Sequence, residues 1–104
     1  MAYRYRYTNV PSLIQGDVVE DEAICFVCKR QIPVDFHHVL NGSEKKASEQ
    51  IGAWVWLCRK CHDRVHKNAD KVHNTRWLKA LCQEAYEKDH SREEWMKLAH
   101  KNYL

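Results

Sequence analysis

Two cysteine pairs, Cys25-Phe-Val-Cys28 and Cys58-Arg-Lys-Cys61, constrain this chain more than any other feature. Each C-x2-C knuckle presents two thiolates, and the two knuckles together complete the tetrahedral sulfur shell that zinc prefers. Paired spacing of this kind is seldom accidental, which weighs against reading the four as small core residues. A redox dithiol would need one pair and not two. Four thiolates leave no open coordination position, so the expected zinc is structural and not catalytic. A single domain of 104 residues has a modest core, and a structural zinc can contribute on the order of 10 kcal/mol to its folding. The fifth cysteine, Cys82, falls on the apolar stripe of a later helix and reads as a buried residue and no ligand. An odd cysteine count also argues against a disulfide framework.

The composition, 44% hydrophobic and 30% charged, excludes wholesale disorder, and a net charge of +3 permits a polyanion partner without demanding one. The longest stretch free of Lys, Arg, Asp, Glu and His, Tyr7 to Gly16, is too short and too polar to span a bilayer, and MAYRYRY is no secretory signal. The expectation is a cytoplasmic protein with no membrane partner. Residues 1–22 alternate Tyr and Arg and then turn acidic; they read as an N-terminal arm or short edge strand. The same alternation could lie along a nucleic-acid backbone with rings stacked on bases. Residues 23–70 carry the chemistry: strand-like Gln31 to Leu40, a polar loop Asn41 to Gly52 with a helical turn at Glu44 to Gln50, an apolar run Ala53 to Cys58, and a helix from Cys58 to Lys67. Residues 71–104 read as a C-terminal helical extension packed on that core. Leu78, Leu81, Cys82, Ala85 and Tyr86 form one stripe, and Ser91 with Glu94 forms a capping box ahead of Trp95, Leu98, Ala99 and Tyr103. The fold class is α+β, a small zinc-stapled unit with additional C-terminal helices.

Four of the seven histidines are patterned: His37-His38 ends the first strand, and His62-x3-His66 starts directly after the last zinc cysteine. If zinc draws strand and helix together, His37 meets the helical face that carries His62 and His66. Three imidazoles from two elements leave positions open for water or phosphate, so that site can do chemistry. His38, next to a ligand, is free to act as a base. His73, His90 and His100 read as ordinary surface or satisfied core residues.

The order C-x2-C, HH at a strand end, then LC-x2-CH-x3-H entering a helix resembles the HNH (His-Me finger) endonucleases over about Cys25 to His66. The resemblance implies a ββα-metal finger that hydrolyses DNA phosphodiester bonds. It implies His38 as general base, and His37, His62 and His66 as ligands of one catalytic divalent ion (Mg2+, Mn2+, Ni2+ or Zn2+), separate from the structural Zn2+ on Cys25, Cys28, Cys58 and Cys61. The compact form is similar to small phage and prophage members, which would place the protein in a bacterial cell. The family's middle asparagine is absent: its position is Ala53. Asn41 could substitute from the loop, and Asp35 is either a partner for a ligand imidazole or a surface aspartate.

Between Lys29 and Lys71 there are nine basic residues against five acidic. The candidate phosphate contacts are Lys45, Lys46, Arg59, Lys60, Arg64 and Lys67, which flank the histidines. No element shows a base-reading pattern, so low sequence specificity is expected. The alternative to a nuclease is a catalytically inactive binding module of the same fold for nucleic acid or protein. A third reading is a zinc-nucleated adaptor using exposed faces of Trp77 and Trp95. A homodimer through the helical tail, and phage or host protein partners, complete the expectations.

Overall fold

The computed structural model describes residues 2–104. Its centre is an antiparallel pair of strands, β1 (Val34–His38) and β2 (Trp54–Cys58), with Val34 opposite Cys58 and His38 opposite Trp54. Aromatic and β-branched residues fill both strands and favour this pleated, packed setting. Every residue of β2 is buried, because both faces of the two-stranded sheet are covered. Side chains alternate between those faces. Val34, Phe36, Trp54 and Trp56 pack against Tyr5, Ala23, Val18 and Val19, whereas Val55 and Leu57 join Val65, Leu78, Cys82 and Trp95 on the helical side.

Between the strands, a 3-10 turn at Gly42–Glu44 leads into α1 (Lys45–Ile51), a fuller helix than the single turn expected from the polar loop. Gly52 ends it at φ 82°, the left-handed conformation that glycine adopts without strain. α2 (Arg59–His66) starts directly from the end of β2. α3 (Thr75–Tyr86) is capped by Asn74, whose side chain accepts from the Trp77 amide at 3.1 Å. α4 (Arg92–Ala99) opens on the expected capping box of Ser91 and Glu94. Leu78, Cys82 and Tyr86 form the buried line of α3, with Leu81 and Ala85 half-buried beside it. The arrangement is a small α+β fold of four α-helices on a two-stranded antiparallel sheet.

Two expectations change. The segment up to Glu22 is neither a free arm nor an edge strand: it is a series of turns with one isolated bridge between Ser12 and Gly16. It forms the second layer of the core. Tyr5 is buried against Trp54, with ring centroids 5.1 Å apart. The indole N–H of Trp54 donates to the Val10 carbonyl at 3.0 Å and that of Trp56 to Val18 at 2.7 Å. A tryptophan buried on a sheet needs an acceptor for its N–H, and this segment supplies two. Arg4 and Arg6, in turn, pair with Asp17 and Glu20 of the same segment.

The adaptor expectation is also corrected: Trp95 is fully buried and donates to the Lys101 carbonyl at 2.9 Å, and Trp77 is partly buried against the core beside Phe26. Trp95 therefore offers no free indole face. Among the described residues, no helix is long and apolar enough to cross a membrane.

Gly52 couples the two layers, since its carbonyl accepts from the Leu13 amide at 2.8 Å and a methyl group on its Cα would collide with the Pro11 carbonyl. Gly52→Ala is therefore expected to lower unfolding free energy by roughly 2–4 kcal/mol, combining left-handed strain with steric displacement. Urea titration checks this, and a loss below about 0.5 kcal/mol would show that the segment does not seat there.

Candidate metal centres

The first knuckle is a tight turn that docks on β2. The Phe26 amide donates to the Trp56 carbonyl at 2.8 Å, the Lys29 amide to Cys25 at 3.0 Å, and Lys29 takes φ 64° to close the turn. The second knuckle is the end of β2 running into α2: the Cys58 sulfur caps the helix by accepting from the Cys61 amide at 3.4 Å. The four sulfurs lie within 4.8 Å of one another. Cys28 and Cys58 sulfurs are 3.8 Å apart, which equals the edge of a tetrahedron with metal–sulfur bonds of about 2.3 Å. All four cysteines are free thiols. They lie close enough to hold a structural metal ion such as zinc.

The thiols are not equivalent. Burial pushes the Cys25 thiol up, but amide donors from Cys28, Cys58 and Val27 outweigh it and hold the group at about 7. Burial and neighbouring sulfurs push Cys61 well above the ordinary thiol range. A cation among the sulfurs removes that disadvantage by stabilising all four thiolates. Cys82, fully buried and also pushed up by burial, belongs to the apolar core as expected.

His73 has a role that its sequence position did not disclose. Its Nε2 lies 3.3 Å from the Cys61 sulfur, and its Nδ1 lies 2.9 Å from Asp70. Asp70 is held by the His73 and Arg64 side chains and by the Val72 and His73 amides, and these keep its carboxyl well below the usual range. The Asp70 contact puts the Nδ1 proton on the carboxylate side. A metal-bound thiolate at Cys61 would then lie within hydrogen-bond distance of the other ring nitrogen. An Asp three residues before a His, twelve residues past the last knuckle, gives no motif to find it by. Beside the cysteines lies a cavity of about 270 Å³ lined by Arg30, Lys60 and Arg64 among others.

The second centre joins two elements. His37 leaves β1 on the helical face and meets His62 and His66 of α2, with ring centroids 5.1 and 5.5 Å away. One ring nitrogen from each lies within 4.8 Å of the others. The Nε2 atoms of His62 and His66 face each other at 3.1 Å. His62 directs Nδ1 at the Asp35 carboxylate, 3.3 Å away, which leaves Nε2 as a lone pair aimed into the cluster. Asp35, which also accepts from Arg59 at 3.2 Å, is thus the partner of the His62 imidazole and not a bystander on the surface. Burial raises its pKa, but His62 and Arg59 outweigh that and hold the carboxyl below its ordinary value. Buried His37 is pushed down to about 3, first by burial and then by His62, His66, His38 and Lys79. It is a neutral nitrogen donor at neutral pH. The three imidazoles therefore fit a divalent ion with positions left open.

His38 is not part of this cluster. Strand alternation places it on the other face, where its ring packs on Phe36 (4.8 Å) and Tyr7 (5.5 Å). Its Nε2 meets the Glu49 carboxylate of α1 at 2.8 Å. Glu49 was not legible as a partner, since only the folded path of α1 brings it back eleven residues to the strand. The loop after His38 is fastened by the buried Ser48 hydroxyl, which accepts from the Leu40 amide at 2.8 Å and lies within hydrogen-bond distance of the Leu40 and Ala53 carbonyls. Asn41 makes no capping contact with its side chain.

Of the expected phosphate contacts, Arg59, Arg64 and Lys67 are engaged with Asp35, Asp70 and Asp63, whereas Lys45, Lys46 and Lys60 are exposed outside any ion pair among the described residues.

Two outcomes are expected. One zinc per chain should copurify, and stripping it with a chelator, or Cys58→Ser, should lower the melting temperature by ten degrees or more on the order of 10 kcal/mol of lost coupling; an unchanged melt after complete removal excludes a structural metal. In acid, the unfolded chain protonates His37 near its ordinary 6.5 while the folded chain refuses the proton down to about 3. Stability from neutral His37 is thus present above 6.5 and lost as pH falls toward 3, at about 1.4 kcal/mol per pH unit. The difference in unfolding free energy between wild type and His37→Asn should carry that slope.

The chain matches no family model, no curated protein and no solved structure.

Proposed function

We propose that this protein is a metal-dependent endonuclease of the HNH type, a ββα-metal finger stapled by zinc on Cys25, Cys28, Cys58 and Cys61. The observation that carries the reading is the open three-imidazole set of His37, His62 and His66 next to a strand whose following residue, His38, is held by a carboxylate. A divalent ion on the three imidazoles would neutralise the phosphate and stabilise the departing 3′-oxygen. The residues of the chain supply the rest. Glu49 accepts the Nε2 proton of His38, which fixes the tautomer and leaves Nδ1 with a lone pair. That nitrogen removes a proton from water as the water oxygen bonds to phosphorus, the P–O3′ bond breaks, and the 3′-oxygen leaves with a proton from solvent. Asp35 orients His62 in the same way from the other face.

Ala53 stands where the family carries asparagine, and Ser48 supports the reading in its place: its hydroxyl ties Leu40 and Ala53 together two residues beyond His38. Without that asparagine, the same fold could bind DNA without cutting it. Mutation separates the two.

Supercoiled plasmid incubated with magnesium, manganese, nickel or zinc is expected to be nicked by wild type. His38→Ala should slow nicking by about 10²- to 10⁴-fold while zinc content and DNA affinity stay unchanged. Nicking that survives His38→Ala at the wild-type rate, or no nicking with any of the four ions, would sink the nuclease reading.

A further inference from the structure

Three cations converge on one ring at the end of the chain. The Arg76 guanidinium carbon and the Lys79 and Lys101 ammonium nitrogens lie 5.6, 5.4 and 5.7 Å from the centroid of Tyr103. Arg76 and Lys79 share a face of α3 by their spacing, and Lys101 comes from the tail beyond α4. Among the described residues, none of the three pairs with a carboxylate. The ring itself is held in place. The Tyr103 amide donates to the buried Gln83 side chain at 2.7 Å, Gln83 also donates to Asn102 at 2.9 Å, and the ring meets Trp95 edge-on at 6.5 Å.

One tyrosine cannot neutralise three charges. A cation over a half-buried ring gains only on the order of 1 kcal/mol, and the cations repel one another. Such a cluster is completed by a partner with several anionic groups. We infer that Arg76, Lys79 and Lys101 swing off Tyr103 to grip the phosphates of a nucleic-acid strand, which frees the ring for a base to stack on it. Phosphates at regular spacing suit the cations, and a base suits the ring, a combination that an acidic peptide does not offer. The inference rests on the nucleic-acid reading above but not on cleavage.

The test is fluorescence anisotropy with a labelled single-stranded 20-mer and its duplex, with poly-glutamate as a carboxylate polyanion, across about 50 to 200 mM salt. The variants are Arg76→Gln/Lys79→Gln/Lys101→Gln, Tyr103→Leu, and Lys45→Gln/Lys46→Gln for comparison, each with its melting temperature measured. The patch variant is expected to bind DNA at least about tenfold more weakly, with a salt slope shallower by about two to three. Tyr103→Leu should weaken the single strand more than the duplex. Loss in the Lys45/Lys46 variant alone, affinity for poly-glutamate but not for DNA, or no DNA binding at the lowest salt overturns the inference. Nicking by the same wild-type protein separates the two ideas. DNA binding lost with the patch in a protein that never nicks sinks only the nuclease reading, and nicking with an unchanged KM in the patch variant sinks only this one.

Discussion

The period-two alternation of β1, between two different packing layers, is the constraint on which the rest depends. A strand with one wet face would turn one of two adjacent histidines to solvent. Here both faces of the sheet are covered, by α2 and α3 on one side and by the N-terminal segment on the other, so neither His37 nor His38 is exposed. Alternation sends His37 to α2 and His38 toward Phe36, Tyr7 and Glu49. The HH dipeptide thereby becomes two chemically different groups: one a desolvated lone pair among imidazoles, the other a ring whose proton is assigned by a carboxylate. A slip of one residue in the register would exchange them.

The four-cysteine cluster makes that register affordable in so short a chain. It brings the turn before β1 against the junction of β2 with α2, so a metal ion held there would fix the strand pair and the helix phase together. Helix phase matters because His62 and His66 reach His37 only from the face of α2 that follows the Cys58 cap. The carboxylates complete the arrangement: Asp35 holds His62, Asp70 holds His73, and Glu49 holds His38. Each imidazole so held has one nitrogen assigned to an acid, and the other is left for a cation, a thiolate or a proton.

What the sequence made legible were the features whose cause is local. C-x2-C spacing, the four-residue period of His62 and His66, the Ser91–Glu94 box and the stripe of α3 depend on the geometry of a turn or helix, and all are present in the fold. The features it concealed depend on chain returning from a distance. Trp54 finds its acceptor at Val10, Glu49 returns to His38, and Tyr103 docks on Gln83, a polar residue that no apolar pattern marks as core. The N-terminal segment misled for the same reason. Tyr and Arg alternate as in a strand, but it is the indole N–H groups and the tight approach at Gly52 that decide its path, and these draw it into turns.

Charge shows the same division. Counted along the chain, Arg59, Arg64 and Lys67 look like phosphate contacts, yet in the fold each lies against an aspartate, and two of these, Asp35 and Asp70, also hold His62 and His73. An ion pair on the surface is worth little in stability, about 0–1 kcal/mol, but it takes a cation out of competition for a ligand. Among the cations left unpaired, Arg76, Lys79 and Lys101 are the three that tertiary packing gathers, from α3 and the tail, around Tyr103. Local excess of Lys and Arg is therefore a poor guide to a polyanion site in a chain this short; what locates one is the set of charges that the fold brings together and does not neutralise.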